Sequence, residues 1–374
     1  MIRVEPVISR RDRREFVELA FRLYRNDPNW VPPLRRDVYE LIDPKRHPFH
    51  LHAAVELFLA RDGDRTVGRI AAIHNDLHIR YHGDKTGFFG MFESERDSRI
   101  SRALFGAVAS WLSSRGIENM RGPASFSLNE EAGLLVEGFD GPPVVMMSYN
   151  PPWYEELIAA EGFRKSKDLV AYYLPNAVPT ERMVRLSDKL RERFEVTIRT
   201  LDKSRFWDEV QLVRRVYNEA WQDNWGHIPM TEEELTYMAK QLKPIVDPTL
   251  VVFGEVRGEL AGFGLALPDF NVVLKKMNGR LFPFGWAKAL WYQRKITTAR
   301  IIILGVLEKY RRSGVAELME LEMLKNGPAR GIVNAEFSWI LEDNVMMRAP
   351  LEKLGAKVYR TYRMYDLPLP AAQA

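Results

Sequence analysis

The stretch Ile303–Leu324, ILGVLEKYRRSGVAELMELEML, indicates the fold class of this chain. A short apolar run ends near Leu307, and after Gly314 the apolar residues recur at helical spacing, so the pattern predicts a strand, a tight turn and a helix. A glycine at the start of a helix lets the backbone approach a ligand closely. The N–H groups and dipole of the first turn attract an anion, and Arg311 and Arg312 add positive charge. The stretch therefore predicts a pyrophosphate-binding turn.

Two widespread phosphate-binding motifs are absent from this turn. The chain carries no G-x-x-x-x-G-K-[ST] pattern, which excludes a Walker-type loop for Mg–nucleotide, and no G-x-G-x-x-G pattern for a dinucleotide. Ala316, two residues after Gly314, leaves space where a larger side chain would collide with a bound diphosphate. The site is therefore expected to differ from both of these nucleotide-binding classes.

The rest of the chain alternates between strand and helix patterns, which predicts an α+β (mixed α/β) fold. Helical spacing is clear at 11–24, 101–115, 205–221, 231–242, 314–326 and 344–354. Strand-like runs occur at 55–61, 69–74, 250–255, 260–267, 300–306 and 333–340.

The chain contains an internal repeat. The stretch Gly90–Ile117 (GMFESERDSRISRALFGAVASWLSSRGI) aligns without a gap to Gly305–Ile332 (GVLEKYRRSGVAELMELEMLKNGPARGI). Two shorter pairs keep the same order, VGRIAAIHND with AGFGLALPDF and NPPWYEELIAAEGF with NVMMRAPLEKLGA. Repeated pieces in one order predict two copies of one domain. We place these domains at 1–178 and 179–374, with an aromatic and basic segment, 271–295, inserted in the second copy.

Composition limits the possible function classes. The chain has 374 residues, of which 46% are hydrophobic, which is sufficient for packed cores. Its net charge of only +4 is spread along the chain and is a weak argument for nucleic acid. There is no cysteine, so disulfides, thiolate metal sites and a cysteine nucleophile are excluded. The N-terminus has no apolar signal region and no run is long enough to span a bilayer. The sequence predicts a cytoplasmic protein.

The pattern Arg311-x-x-Gly314-x-Ala316 after IIILGVLE resembles the acyl-CoA-binding motif of the GNAT superfamily of N-acyltransferases. The stretch LEDNVMMRAPLEKLGAKVYRTYRMY resembles the next strand–helix–strand unit of that superfamily. Because both copies are covered, the resemblance implies two tandem GNAT-like domains, each a mixed, mostly antiparallel sheet flanked by helices. It implies acyl-CoA or acetyl-CoA as co-substrate and no metal.

The resemblance assigns roles to particular residues of the second copy. The backbone of Val306 and Leu307 would contact the pantetheine, and Asn344 would bind the cofactor arm. The pyrophosphate would be held by Arg311, Arg312, Ser313, Gly314, Val315 and Ala316. In the first copy, Arg99 and Ser101 stand at the positions of Gly314 and Ala316. An arginine there would fill the space of the diphosphate, so the first domain is expected to lack the CoA site.

Acyl transfer from a thioester to an amine needs a base for the amine proton, and Glu336 is the candidate. Period-2 alternation in NAEFSWI places Glu336 on a polar face of its strand, and a solvent-exposed edge is the alternative interpretation. The tyrosine that protonates the thiolate in many relatives falls at Leu351 here. Tyr359, Tyr362 or a water are the substitutes that the sequence offers.

Two polar stretches are candidates for the amine acceptor site. Asn224, Trp225 and His227 lie between two predicted helices of the second copy, where GNAT folds close over the acceptor; helix packing is the alternative. Asn129 and Glu130 lie in the insertion of the first copy, where an ordinary loop is the alternative. The histidines of HNDLHIRYH are spaced like a helical metal face, but the segment is expected to be a loop and no further ligands complete a metal site.

The inserted segment has two interpretations. Trp, Phe and Leu beside Lys and Arg suit a peripheral membrane contact through 279–295; a lid that buries the same aromatics is the alternative. With the first, the chain resembles bacterial sphingoid-base N-acyltransferases. The sequence predicts an acyl-CoA-dependent N-acyltransferase acting on a primary amine, and with the membrane interpretation that amine is a hydrophobic or lipid amine. The alternatives are a catalytically silent acyl-CoA-binding or scaffold protein and a small-amine N-acetyltransferase that uses acetyl-CoA.

Overall fold

The computed structural model of the protein describes residues 1–222 and 224–370. The strands are β1 (Ile2–Pro6), β2 (Ala53–Asp62), β3 (Arg65–Asn75), β4 (Thr86–Ser94), β5 (Asn119–Gly122), β6 (Ala124–Ser125), β7 (Glu131–Ala132), β8 (Leu134–Glu137), β9 (Arg164–Leu174), β10 (Val196–Thr200), β11 (Val251–Val256), β12 (Glu259–Pro268), β13 (Thr298–Val306), β14 (Asn334–Leu341) and β15 (Lys357–Pro368). The helices are α1 (Arg10–Leu23), α2 (Arg35–Leu41), α3 (Asp76–His82), α4 (Ser98–Ser113), α5 (Tyr154–Ala159), α6 (Glu181–Phe194), α7 (Phe206–Ala220), α8 (Glu232–Leu242), α9 (Asn271–Met277), α10 (Gly285–Tyr292), α11 (Val315–Asn326) and α12 (Val345–Lys353).

The mixed α+β class and the twelve predicted elements are confirmed, with boundaries that differ by a few residues. The expected loop after β3 is wrong, since Asp76–His82 forms the helix α3. The Asn75 side chain caps this helix by accepting from the Leu77 and His78 backbone N–H groups, and Gly83 ends it in a left-handed conformation. Caps of this kind start and stop a helix whose apolar spacing is weak.

The chain forms two compact units. Unit 1 consists of Met1–Val170, Met277–Pro283 and the described residues from Arg360 on. Unit 2 consists of Ala171–Lys276 and Phe284–Tyr359. The sequence-based boundary after residue 178 lies eight residues beyond the first of these divisions, and residues 371–374, which end the second predicted domain, lie outside the described residues.

Unit 1 is built on a sheet in the order β1-β2-β3-β4-β5-β15. The pairs from β1 to β4 are antiparallel, and β4 and β5 are parallel. Helix α4 packs on this sheet through Leu104, Phe105 and Val108, which belong to one buried apolar cluster with Phe89 and Phe163. The apolar positions of α4 recur at helical spacing, and their burial holds the helix on the sheet.

Unit 2 repeats this plan with the order β14-β13-β12-β11-β10. The strands β10 to β13 pair antiparallel, and β13 and β14 are parallel. On one face of the sheet, Phe253 and Phe263 are buried against α7 and α8. On the other face, α11 buries Leu318 and Met319. Because α11 follows β13 along the chain and packs on a face of the same sheet, its start lies beside the end of β13.

The closing strand of each sequence copy contributes to the sheet of the other unit. β15 ends the second copy, yet its residues 365–368 pair with β5 in unit 1. β9 ends the first copy, and its residues 171–174 belong to unit 2, where β9 lies next to β14. Each sheet is therefore completed by residues that are distant in sequence.

Within residues 1–222 and 224–370, none of the helices combines the length and the hydrophobicity needed to cross a bilayer.

Candidate active site

The strands β13 and β14 separate at their carboxyl ends. Their parallel pairing runs from Thr298–Asn334 to Ile301–Phe337, although β13 continues to Val306 and β14 to Leu341. On its other side, β13 has a bulge against β12 between the partners of Leu265 and Ala266. A bulge bends a strand away from its neighbour. The result is a gap that the backbone of residues 302–306 borders.

The N-terminus of α11 stands at this end of the sheet. Gly314 precedes the helix with φ of 75°, a left-handed conformation that favours glycine. The backbone N–H of Val315 donates to the Ser313 hydroxyl at 3.4 Å. Arg311 and Arg312 are exposed, and the Ser313 hydroxyl donates to the Tyr310 carbonyl at 2.7 Å. Backbone N–H groups and two arginines thus lie together at one helix start, an arrangement that fits a pyrophosphate.

Gly314 has a second reason to be glycine. A Cβ atom at this position would lie 2.8 Å from both δ-carbons of Leu190, which belongs to α6. The next residue, Val315, is buried, and Ala316 is half-buried. A larger residue at 314 would meet strain and a collision together.

The three remaining residues that the resemblance assigns to CoA are found in this region of unit 2. Val306 ends β13 at the gap, where it is paired with Gly262 of β12. Leu307 uses both backbone groups inside the unit, since its N–H donates to the Ala261 carbonyl and its carbonyl accepts from the Tyr310 N–H. Asn344 caps α12, with its Oδ1 accepting from the Met347 N–H at 3.2 Å.

The start of α4 in unit 1 has different chemistry from the start of α11. The Asp97 carboxylate accepts from the Arg99 backbone N–H at 2.9 Å and pairs with the Arg99 guanidinium at 2.6 Å. In the aligned repeat, Asp97 corresponds to Arg312 and Arg99 to Gly314. A carboxylate of the chain itself therefore occupies the anion position of this helix.

The strand gap is also closed in unit 1. Gly90 corresponds to Gly305, and a Cβ atom on Gly90 would lie 1.8 Å from the Ala124 carbonyl oxygen of β6. The Met91 N–H donates to the Ser125 hydroxyl at 3.4 Å. The chain itself fills the place where a pantetheine arm would enter.

Glu336 is fully buried in unit 2, which rules out the interpretation that it lies on a solvent-exposed edge. Its carboxylate accepts from the Ser338 hydroxyl at 2.9 Å and from the Tyr359 hydroxyl at 3.4 Å. The guanidinium of Arg300 lies 3.7 Å from it and donates to Ser338 at 3.0 Å. Arg300 and Glu336 are register partners on β13 and β14, just before these strands separate.

The candidates for protonating the leaving thiolate lie in different places. Leu351, at the position of the usual tyrosine, is buried in α12. Tyr359 belongs to unit 2 and is hydrogen-bonded to Glu336, whereas Tyr362 is fully buried in unit 1. Tyr359 is therefore the tyrosine that the fold brings to the proposed base.

Tyr217 and Trp221, together called the aromatic wall, cover the face of β13 that packs on α7. A Cβ atom on Gly305 would lie 2.1 Å from the ring of Trp221, so only glycine allows the ring to pack on the strand. Trp221 stacks on Tyr217 at 5.1 Å between ring centres, and Phe263 lies 6.5 Å away. Burial raises the pKa of Tyr217 above its ordinary value. Next to the strand gap, this face is apolar and aromatic.

The predicted acceptor residues of the second copy follow this wall. The Asn224 carbonyl accepts from the His227 N–H, so that 224–227 form a compact turn, and the Asn224 N–H donates to the Trp221 carbonyl. His227 is buried, with its ring 5.6 Å from that of Tyr217, and Trp225 is half-buried. The turn thus places His227 beside the aromatic wall.

Asn129 and Glu130 lie in unit 1, in the turn between β6 and β7. The Asn129 N–H donates to the Ser127 hydroxyl at 3.1 Å, and the Glu130 carboxylate accepts from the Phe126 N–H at 3.0 Å. Glu130 also lies 3.3 Å from the Nε2 of His47. These contacts hold the turn together.

The spaced histidines lie around α3. The rings of His78 and His82 are 4.5 Å apart, and the Nε2 of His78 lies 3.2 Å from the Asp84 carboxylate. Burial lowers the pKa of His78 to about 4. Among the residues that the structure describes, no group of three or more His, Asp and Glu side chains could hold a metal ion.

Sequence reasoning missed four features of this region. The alignment of the repeat already contained the signal for Asp97, since it stands opposite Arg312. The spacing of Tyr217 and Trp221 by four residues indicated a shared helix face. No sequence signal pointed to Arg300 as the partner of Glu336, or to Leu190 as the neighbour of Gly314, because both contacts join distant segments.

Two named proteins are similar to this chain over nearly its whole length. Protein YghO of Escherichia coli (strain K12) is 38% identical over 371 residues, which cover 97% of this chain and 94% of that protein. The bacterial ceramide synthase of Caulobacter vibrioides (strain NA1000 / CB15N) is 38% identical over 373 residues, which cover 98% of this chain and 97% of that protein. No protein-family model matches the chain.

Solved structures show the same fold. A tandem GNAT protein from the clavulanic acid biosynthesis pathway superposes with a TM-score of 0.58 at 15% identity, and 100% of each chain is covered. A GCN5-related N-acetyltransferase from Sphaerobacter thermophilus gives 0.53 at 13% identity, with 100% of this chain and 98% of that chain covered. At such identities the likeness concerns the fold alone, and the fold is the tandem GNAT arrangement. Together with the 38% identity to the bacterial ceramide synthase, it shows that the chain belongs to the tandem-domain GNAT superfamily and is an N-acyltransferase.

Proposed function

We propose that unit 2 binds acyl-CoA and that the acyl group is transferred to a primary amine with a hydrophobic chain. The observation that carries the proposal is the start of α11, where Gly314, at φ of 75°, opens an anion site beside the gap between β13 and β14. A GNAT fold implies an acyl-CoA or acetyl-CoA co-substrate. Residues Arg311 to Ala316 hold the pyrophosphate in this proposal, and Asn344 contacts the cofactor arm.

The thioester supplies an activated acyl carbonyl, and the chain supplies the groups that act on it. The amine nitrogen forms the new C–N bond, the C–S bond breaks, and the thiolate leaves with one proton. A backbone N–H near Val306 stabilises the oxyanion. Glu336 accepts the amine proton, directly or through water, and its hydrogen bond to Tyr359 offers a route by which a proton reaches the thiolate.

The proposed acceptor is based on the similarity to the Caulobacter relative and on the aromatic surface of Tyr217 and Trp221. A ceramide, the product named for the Caulobacter relative, is the N-acyl derivative of a long-chain amino alcohol. The aromatic wall of Tyr217 and Trp221 provides apolar contact for such a chain beside the strand gap. Asn224, Trp225 and His227 lie in the adjoining turn and are proposed to contact the amine end. Unit 1 is proposed to have no CoA site. The assignment of Asn129 and Glu130 as acceptor contacts stays a prediction.

The absence of cysteine makes a direct test possible. A thiol-reactive chromophore reports CoA release without any background from the protein, because the chain contains no cysteine. We expect release with palmitoyl-CoA and a long-chain amino alcohol, together with the amide in the mass spectrum. Release only with acetyl-CoA and a short amine such as ethanolamine would instead identify a small-amine acetyltransferase. If acyl-CoA binds but CoA is released under none of these conditions, the protein is a catalytically silent binding protein and the proposal is refuted.

A further inference from the structure

Helix α10 presents its large apolar side chains to solvent. Phe284, directly before the helix, is 71% exposed, and Trp286, Leu290 and Trp291 are 52%, 57% and 64% exposed. Single exposed apolar residues are common on proteins, but a group of four within eight positions forms a patch of the kind that marks an interaction site. The interpretation of this segment as a lid that buries its aromatics is therefore wrong.

The inward side of α10 consists of small or partly covered residues. Gly285 is buried, and Ala289 and Tyr292 are half-buried. At about 100° per residue these three share one narrow face. A helix that served only folding would show the reverse arrangement, with its large apolar residues inside. The exposed side chains contribute little to the core of unit 2.

The charged residues of the segment that contains α10 are of one sign. From Asn271 to Ala299 the chain has no Asp or Glu, and it has six cations: Lys275, Lys276, Arg280, Lys288, Arg294 and Lys295. The Lys276 and Lys295 ammonium groups lie 5.7 and 5.2 Å from the centre of the Tyr292 ring, and Lys288 donates to the Lys276 carbonyl at 3.0 Å. The cations are therefore gathered around the same short helix.

Buried residues fix both ends of the segment. Met277 ends α9 and is buried, and Ile296 leads into β13 and is buried. Gly279, after α9, belongs to unit 1 and packs so closely on Phe21 of the same unit that a Cβ atom would lie 2.6 Å from that ring. Residues before and after α10 are thus buried in their own units, while the aromatic side chains of the helix are exposed.

We propose that Phe284, Trp286, Lys288, Leu290, Trp291 and Arg294 form a membrane-docking surface for bilayers that contain anionic lipids. Tryptophan and phenylalanine rings settle at the headgroup level of a bilayer, and nearby lysines and arginines pair with lipid phosphates. A stretch that contains no acid suits an anionic lipid surface. The docking surface rests on the proposed function for its purpose, since it brings the enzyme to an amine that resides in a membrane, but its binding is independent of catalysis.

Flotation with vesicles tests the surface. The full chain should float with phosphatidylcholine–phosphatidylglycerol vesicles, at least tenfold more than with phosphatidylcholine alone, and less as salt rises. The double variant Trp286→Ser, Trp291→Ser should lose at least tenfold in bound fraction and keep its thermal unfolding midpoint. Trp207→Ser is the matched control, because Trp207 is also exposed but lies in α7. Equal flotation of wild type and double variant would overturn the proposal.

A single engineered cysteine gives a second readout. Since the chain has no native cysteine, Leu290→Cys takes one environment-sensitive fluorophore. Its emission should shift to the blue with anionic vesicles, while a label at Trp207→Cys should not respond. If the shift appears without vesicles and rises with protein concentration, α10 binds a second copy of the chain and the membrane proposal fails. Docking without thiol release would contradict only the proposed function, and thiol release without docking would contradict only this inference.

Discussion

The guanidinium of Arg99 lies 2.6 Å from the carboxylate of Asp97, at the helix start that corresponds to Gly314 in the second copy. One copy thus closes its anion site with an internal ion pair, while the other leaves backbone N–H groups and two arginines at the same place. At this helix start Asp97, Arg99 and Ser101 of the first copy stand opposite Arg312, Gly314 and Ala316. This difference motivates the first two predictions.

Gly314→Arg should abolish the stabilisation of the protein by acyl-CoA. Wild type should gain about 2.7 kcal/mol at a ligand concentration of 100 Kd, measured as a rise in thermal midpoint. An arginine at 314 would be strained in the left-handed conformation, and its Cβ would collide with the Leu190 side chain. The arginine side chain would also occupy the proposed pyrophosphate position. Gly331→Arg is the matched control, since Gly331 has φ of 76° and no heavy atom within 4 Å of a Cβ. A full ligand shift in Gly314→Arg would show that the anion site is elsewhere.

Calorimetric titration should give one CoA per chain. The double variant Asp97→Ala, Arg99→Gly should keep this value, because Ala124 still closes the strand gap of unit 1 even when the ion pair is removed. Two sites per chain in wild type would contradict the assignment of CoA to unit 2 alone. A second site that appears only in the variant would show that the ion pair by itself excludes the ligand.

Glu336→Gln should lower kcat by about 10²–10⁴-fold while leaving acyl-CoA affinity unchanged, as removal of a general base does. The variant leaves Arg300 without its buried carboxylate, so we also expect a loss of about 3–5 kcal/mol in unfolding free energy, and rates must be referred to folded protein. Ser338→Ala removes a hydrogen bond to the same carboxylate but keeps the charge, and it should retain most of the activity. Normal turnover of folded Glu336→Gln would exclude this residue as the base.

The stability of the protein should depend on the ionisation of Glu320. This side chain lines an apolar cleft with Ala299, Ile301 and Phe337, and burial, followed by the charge of Glu317, raises its pKa to about 7. The folded state therefore holds more protons than the unfolded state between pH 4.5 and 7, and the free energy of unfolding falls as pH rises through this window.

Glu320→Gln should remove this contribution. We expect the variant to exceed wild type in unfolding free energy by about 1–3 kcal/mol at pH 8 and to match it below pH 4.5, measured by urea unfolding. Glu233→Gln, at an exposed position of α8, should change neither value by more than about 0.5 kcal/mol. An equal difference at both pH values would mean that the substitution acts through packing rather than through ionisation.

The strand–turn–helix around Gly314 was predictable from sequence because its determinants are local. Apolar spacing sets the helix, and the positive φ of Gly314 belongs to a turn of a few residues. The repeat, the α+β class and the predicted absence of an anion site at Arg99 follow from the same local patterns. These features need no knowledge of which segments meet.

The sequence predicted that Glu336 lies on a polar face, but it did not predict that the residue is buried. Alternation in β14 placed this carboxylate on a polar face, but the same pattern suited a solvent-exposed edge. Its burial is decided by the strands on both sides of β14 and by Arg300, which stands opposite it in the register. A periodic pattern states which side chains share a face and leaves open what that face contacts.

The sequence by itself determined two GNAT-like copies, and it predicts a pyrophosphate-binding helix start in the second copy but not in the first. Only the tertiary structure decided that 365–368 of β15 complete the sheet of unit 1, and that the aromatic side chains of α10 face solvent. Strand partners and exposed faces depend on contacts between segments far apart in the chain. Local propensity carries no information about such contacts, because one strand or helix pattern is compatible with several partners.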